Sequence, residues 1–356
     1  MKNNNPGTRD SNFELLRIIA MFLVLIVHAD YLSLGRPTQT QIIQEPFSSI
    51  GRIFFQAMSI ACVNIFILIS GWFGIKPNLK SFSNFIFQCI FFYVGIYLVG
   101  IVSGFTTFTP KTFVRTFALI KWNWFIYSYI LLYILAPALN SYINNSPRKQ
   151  LLNTIICFYT FQTIYGFLFR TVDFFHDGYS TISFIGLYML ARYIKLYPCK
   201  YTTLSTKNDL LIILLSITLI ATIEFILISH NAPKHFEYNN YINPFVILAA
   251  LYTLLLFSKL KFHSKFINWI ATSCFAVYLI HINPLLLDKY LHGMKFIYDN
   301  TNGFSYLLTI SLVLIIIFII SVFLDKIRIL VWKLFWKNVE RTNIYQMNFN
   351  KNHKEL

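Results

Sequence analysis

A helical bundle embedded in a lipid bilayer is the fold class this chain predicts, and three observations predict it. Hydrophobic residues make up 56% of the 356 residues and charged residues only 12%, against roughly 25% charged in soluble domains. Apolar stretches near the ~20-residue spanning length recur about ten times. Lys and Arg concentrate in alternate connections between those stretches, as the positive-inside rule requires. The expected architecture is all-α: a polytopic membrane helix bundle of about ten transmembrane helices, with N- and C-termini cytoplasmic.

In chain order the apolar stretches cover approximately 13–34, 50–75, 82–105, 119–139, 150–169, 180–197, 208–229, 243–260, 267–287 and 304–332. The sixth is the weakest, being short and interrupted by polar residues. With the N-terminus inside, the inner segments hold twenty of the thirty Lys and Arg and the outer segments nine; Arg17 is the remaining one. Every inner connection is basic. The net charge of +16 therefore reads as membrane topology, not as nucleic-acid binding. A basic start before an apolar run suggests a signal peptide, but no small-residue cleavage pattern follows Asp30 and more spans come after, so a retained first helix is expected. The five cysteines show neither a disulfide framework nor a metal-ligand spacing, and no metal is expected. Residues 1–332 are expected to form the membrane domain and 333–356 a basic cytoplasmic tail. In DKIRILVWKLFWKNVERTNIY, over 325–345, Trp332 and Trp336 alternate with Lys and Arg, a pattern that anchors at an anionic lipid surface. The last ten residues read as a loose end.

The first span, NFELLRIIAMFLVLIVHAD over 12–30, is unusual. It carries Glu14, Arg17, His28 and Asp30, and charged groups inside a membrane helix are expensive unless they serve a purpose. Arg17 and His28 are eleven residues apart, just over three turns, so they share a face about 16 Å apart along the axis. Glu14 lies on the same stripe, three residues before Arg17.

Later spans carry further polar points. NIFILISGWFG at 64–74 holds Asn64, Ser70 and Gly71, and the glycine permits close backbone approach. In WNWFIYSYILLYILAPALN at 122–140, Trp122 and Trp124 suit an outer aromatic belt. Tyr127, Tyr129 and Tyr133 line a pocket or pack, and Pro137 kinks or ends the helix near the inner face. Glu224 lies near the outer end of its span, where it snorkels or points inward. The outer loop RTVDFFHDG holds Arg170, Asp173, His176 and Asp177, either as a solvated loop or as a polar acceptor site. FAVYLIHINP places His281 in the outer half of the ninth span. No internal repeat, Gly-rich phosphate loop or soluble catalytic domain is visible, so any chemistry belongs to the membrane part itself.

Taken in order, these segments resemble the acyltransferase 3 superfamily of multi-pass membrane acyltransferases. FELLR with Arg17 and His28 is similar to the family's Arg-(ten residues)-His signature. NIFILISGWF resembles its Phe-rich run into Ser-Gly. WFIYSYILLYILAPALN resembles its Trp-aromatic span ending in Pro, and NPFVILAALYTLLLF with INWIATSCFAVYLIH its closing segments. The likeness covers nearly the whole chain and is nearest to short members without a soluble domain, which decorate surface polysaccharides. Where many relatives carry an arginine cluster after the second span, this chain has KPNLKSFSN, with Lys76 and Lys80. Lysine offers a point charge there but not a bidentate fork.

The resemblance implies an O-acetyltransferase that takes acetyl from cytoplasmic acetyl-CoA and gives it to a hydroxyl of a surface or lipid-linked glycan, in a bacterial cytoplasmic (inner) membrane. It implies His28, Arg17 and Glu14 as catalytic residues, with His28 as general base or acyl carrier. Arg17, Lys76, Lys80 and Ser70 would contact the donor, and Trp124, Tyr127 and His281 the acceptor. The implied partners are a glycan or lipid-linked oligosaccharide and membrane lipids, with a homo-oligomer left open. A base is needed because a sugar hydroxyl ionises far above neutral pH, and imidazole suits that task. The alternatives are a transporter or flippase of lipid-linked sugars, which would be expected to show matching broken helices in two halves, and a non-catalytic assembly partner.

Overall fold

The structure is a computed structural model that describes residues 9–341 other than 119, 121–122 and 234–237. Among the described residues it is helical with no strand. Trp122 and the end of the tail beyond residue 341 lie outside the described residues.

Among the described residues, seven helices are long and apolar enough to cross a membrane. The first is α1 (Ser11–Val27), which continues as a π turn over His28–Leu32. The short α2 (Gln39–Gln44) leads into α3 (Pro46–Ser59) and α4 (Cys62–Phe73), which together make one span. α5 (Leu79–Val102) follows, then the short outer helix α6 (Pro110–Phe117). α7 (Trp124–Asn145) and α8 (Arg148–Phe161), extended by a π turn to Leu168, are the next spans. α10 (Thr206–Ser229) and α15 (Gly303–Arg341) complete the seven. The helix at Pro137 does not end; it runs through the proline to Asn145.

The other three apolar stretches fold as shorter helices. α9 (Thr181–Leu196) and α11 (Pro244–Lys259) have 16 residues each, about 24 Å of helix against a roughly 30 Å hydrocarbon core. The ninth stretch is a broken pair, α12 (Lys265–Ala271) and α13 (Cys274–His281), followed by outer helix α14 (Leu287–Asn300). Of these, α9, α11 and α13 are interior. α4 packs against α1, α9 and α11, and α13 packs against α1, α5 and α15. α10 and α15 present most of their apolar surface outward, as lipid-facing helices do.

Polar contacts gather at the two ends of the bundle, named inner and outer by the Lys and Arg distribution. At the inner side, Asn12 Nδ2 donates to the Phe257 carbonyl (2.9 Å), Ser11 Oγ to Asn268 Oδ1 (2.9 Å), and Lys259 pairs with buried Asp209. Lys326 Nζ donates to the Trp269 carbonyl and to Thr272 Oγ1, which ties α15 to the break between α12 and α13. At the outer side, Gln39 Nε2 donates to the Ser229 carbonyl (2.7 Å) and Ser33 Oγ to the Leu291 carbonyl (2.7 Å). Within the bundle, Asp325 holds Arg328 (Nε–Oδ1 2.9 Å) and accepts from Gln88 Nε2 of α5 at 2.9 Å.

The close approach expected at Gly71 is present, and its partner is α9. A Cβ added at Gly71 would lie 2.8 Å from the Tyr188 Cα and nearer still to the Tyr188 carbonyl oxygen. Backbone cannot retreat as a flexible side chain does, so α4 and α9 would have to separate. Gly71→Ala is expected to destabilise the protein by about 1–3 kcal/mol, the usual range for overpacking. The check is the thermal midpoint of the detergent-solubilised protein, which should fall while Gly95→Ala, where the added Cβ meets open space, leaves it nearly unchanged.

Candidate active site

α1 reaches the site because each of its charged or ionisable groups has a partner from elsewhere in the fold or from its own first turns. Glu14 is 4% exposed; its Oε1 accepts from Arg17 Nη1 at 2.5 Å and its Oε2 from Arg9 Nη1 at 3.4 Å. Asp30, 8% exposed, is gripped from α3: Arg52 Nε and Nη2 donate to its two oxygens at 3.1 and 3.2 Å, and Gln56 Nε2 donates to Oδ1. Arg52 Nη2 also donates to the Gly35 carbonyl (2.6 Å), and its guanidinium stands over the Tyr298 ring. A bidentate pair of this kind fixes orientation as well as charge. It holds the outer end of α1 against α3.

Between those two ties sits His28, at the start of the π turn. π turns inside α-helices are frequent at functional positions because they redirect a side chain and free a carbonyl. Here the Leu25 carbonyl accepts both the His28 backbone N–H and the Tyr290 hydroxyl of α14, the latter at 2.8 Å. The His28 ring meets His281 of α13: Nδ1 of His28 lies 2.8 Å from Nε2 of His281. His281 Nδ1 is 2.6 Å from the Val277 carbonyl, its own helix's acceptor. A carbonyl only accepts, so His281 Nδ1 carries a proton. With one proton per ring, His281 Nε2 is bare and accepts from His28 Nδ1–H. The His28 Nε2 lone pair is left free. His281 is 3% exposed, whereas His28 keeps part of its surface accessible.

The inner half holds Arg17, whose side chain remains about one-third exposed, and Ser70, which is 3.5 Å from the Tyr129 hydroxyl. Arg17 is within electrostatic range of that same hydroxyl. Aromatic rings connect this half to the histidines. Tyr129 stacks on Phe125 (5.9 Å between centroids), Phe125 meets Tyr278 edge-on (5.4 Å), and Tyr278 meets His281 (6.0 Å). The Tyr278 hydroxyl donates to Asn123. Trp124 extends the row outward through Phe125 (5.9 Å) to Tyr179 (4.5 Å) and Tyr241 (6.0 Å). The outer loop anticipated at 170–178 lies beneath Tyr241. The Tyr241 N–H donates to the Asp177 carbonyl at 3.1 Å, and His176 and Asp177 both hold positive φ, +46° and +51°. Such strain persists only where its surroundings over-determine it.

The structure therefore brings together Arg17 with Glu14 and Ser70, and His28 with His281, with Trp124 in the outward row. It places Tyr127 elsewhere, 42% exposed on the bundle surface. Lys80 also points away: its Nζ pairs with Glu340 of α15 at 3.0 Å and stands over the Trp336 ring. Lys76 lies exposed in the loop after α4. Two basic residues that sequence reading counted only as loop charges come to that end of α4. Arg192 of α9 donates from Nη1 to the Trp72 carbonyl (3.4 Å), and its guanidinium lies against Gly74. Lys195 stands over the Phe73 and Trp72 rings. The first turns of α1 meet the same point, with Phe13 against Trp72 (5.9 Å) and Phe73 (4.9 Å). The close α4–α9 contact at Gly71 brings these cations to that end of α4, and spacing along the chain gives no sign of it.

A multi-pass membrane bundle with a basic inner end and an intramembrane imidazole pair is the class of protein these features define. The chain belongs to the acyltransferase 3 family: the family's model, an acyltransferase domain, matches residues 10–326, nearly the whole chain. No curated protein and no solved structure matches it.

The Asp30–Arg52 pair gives a direct test of what positions His28. Asp30→Leu leaves a buried guanidinium without its carboxylate and is expected to cost about 3–5 kcal/mol. The double variant Asp30→Leu with Arg52→Met removes both charges and should recover most of that loss. Comparing thermal midpoints of Asp30→Leu, Arg52→Met and the double variant measures the coupling.

Proposed function

We propose that this protein is an O-acetyltransferase that moves an acetyl group from cytoplasmic acetyl-CoA to a hydroxyl of a surface or lipid-linked glycan in a bacterial cytoplasmic membrane. The observation that carries the reading is the His28–His281 pair, which leaves a free lone pair on His28 Nε2 within the bundle. An imidazole held in one tautomer by a second, backbone-anchored imidazole is oriented for general-base work.

In the reaction, His28 Nε2 takes the proton of the acceptor hydroxyl as its oxygen attacks the thioester carbonyl carbon. The new C–O bond forms and the C–S bond breaks. The departing CoA sulfur takes the proton from His28, which returns to its starting state. His281 is a positioning residue: it keeps His28 Nδ1–H engaged, so that Nε2 is the nitrogen that exchanges the proton. Arg17, aligned by Glu14, faces donor phosphate or carbonyl oxygen from the inner half. Arg192 and Lys76 join it at the inner rim, so the arginine missing after the second span is supplied from α9. The extended pantetheine arm of CoA suits the axial separation between Arg17 and His28. Trp124 and the outer row receive the acceptor. Lys80 and Tyr127 take no part in this scheme, given where their side chains lie.

Cells carrying His28→Ala at normal protein level should lose O-acetylation of the surface glycan by about 10²-fold or more, read by mass spectrometry; full acetylation would overturn the assignment. Arg17→Ala should weaken acetyl-CoA binding about 10- to 100-fold, as the loss of a charged hydrogen bond worth ~1.5–3 kcal/mol implies. Isothermal titration of purified protein with acetyl-CoA reads that change.

A further inference from the structure

The segment 238–243, between α10 and α11, contains three asparagines, and they differ in an informative way. Asn243 is fully used: its Nδ2 donates to the Tyr238 carbonyl (2.8 Å), and its Oδ1 accepts from the Phe245 N–H (2.9 Å) at the start of α11. Asn239 and Asn240 are 5% and 6% exposed, yet neither Nδ2 nor Oδ1 of either residue has a hydrogen-bond partner. Four buried amide atoms without partners in one dipeptide are a departure from the rule that buried polar groups are satisfied.

Their neighbours are equally specific. On one side the Tyr238 N–H donates to Glu224 Oε2 (2.9 Å), and Glu224 Oε1 is 2.9 Å from Arg36 Nε. The Arg36 side chain is 9% exposed, and its Nη2 has no hydrogen-bond partner either. Glu224 balances that charge, so the surroundings are polar but nearly neutral. On the other side Tyr241 lies against Tyr179 and Trp124, and its carbonyl accepts from Asn64 Nδ2 of α4 (2.8 Å). Asn239 and Asn240 thus lie along the chain between Tyr238, which is bonded to Glu224 of the buried ion pair, and Tyr241 of the aromatic row.

We infer that Asn239 and Asn240 bind a pyranose unit of the acceptor glycan at the outer end of the site. Each amide offers one donor group and one acceptor, which is what a vicinal pair of sugar hydroxyls matches. The aromatic rings offer the flat apolar faces that such a ring covers, in the usual mix of apolar lining and a few oriented polar groups. A neutral hydroxylated ligand suits the compensated charge better than a phosphate does. This inference rests on the acetyltransferase reading, because it names the acceptor contacts of that same site.

The test separates the two. The full-length protein in lipid nanodiscs is given radiolabelled acetyl-CoA and two acceptor fractions from the host envelope, both stripped of existing O-acetyl groups by mild base. One fraction is the lipid-linked oligosaccharide, the other the polymerised glycan; the fraction that takes label identifies the source of the sugar. Asn239→Leu and Asn240→Leu are then compared with the wild type. Replacing an unpartnered buried amide by an apolar group of similar shape is neutral or stabilising for the fold. The variants should keep or raise the thermal midpoint and keep the KM for acetyl-CoA, while the KM for the labelled glycan fraction rises tenfold or more. An unchanged glycan KM in both variants overturns the inference and assigns the amides to ordered water. Should either variant unfold, Asn→Ser at the same position shortens the side chain and removes the amide; wild-type glycan KM in that variant likewise overturns it. No label in either fraction with wild-type protein overturns the acetyltransferase reading itself.

Discussion

The constraint on which the rest depends is the cost of ionisable groups in hydrocarbon. α1 carries four of them, and by insertion scales a charged side chain at mid-bilayer costs about 2.5–3.5 kcal/mol. Every one is met, and each by a different device. Glu14 is bracketed by Arg9 and Arg17, Asp30 by Arg52 and Gln56, and His28 by His281. Because these ties reach α1's own inner turns, α3 and α13, they fix the depth and rotation of α1 together. The His28 ring is therefore placed by interactions that the membrane makes obligatory.

The same economy of space explains how the inner rim is built. Gly71 removes the one side chain that would hold α4 and α9 apart. The close crossing brings Arg192 and Lys195 over Trp72 and Phe73, where α1 also begins. A small residue inside the membrane thus decides which cations stand at its inner surface. The short interior helices α9, α11 and α13 end inside the protein, and Arg192, Asn243 and His281 lie at or near those ends.

What the sequence discloses follows from what each signal depends on. Hydropathy is local and additive, so the helical class and the extents of the long spans were legible. Residue type and spacing within one helix also sufficed for Glu14 with Arg17, and for Gly71 as a point of close approach. The partners across the fold were not legible. His28 and His281 are 253 positions apart, and nothing in periodicity pairs them. Lys80 looks like a donor ligand beside Lys76, yet one turn of α5 directs it to Glu340 on α15. Tyr127 and Tyr129 are two residues apart on α7 and so face nearly opposite ways, which put Tyr129 beside Ser70 and Tyr127 on the surface. Asn239 and Asn240 read as an ordinary polar turn, because burial without a partner is a property of the packed chain and not of the residues.

The choice of a second histidine, and not a carboxylate, as the partner of His28 follows from the same constraint. A carboxylate against the ring would be a further anion in the hydrocarbon and would require its own cation, as Asp30 requires Arg52 and Glu224 is met by Arg36. Asp30 lies only two residues from His28, but its oxygens are taken by Arg52 and Gln56. A neutral imidazole, with its far nitrogen bound to the Val277 carbonyl of its own helix, sets the tautomer of His28 without adding charge. The fold thus uses carboxylates where arginines are available to neutralise them, and a neutral imidazole to orient the His28 ring without adding charge.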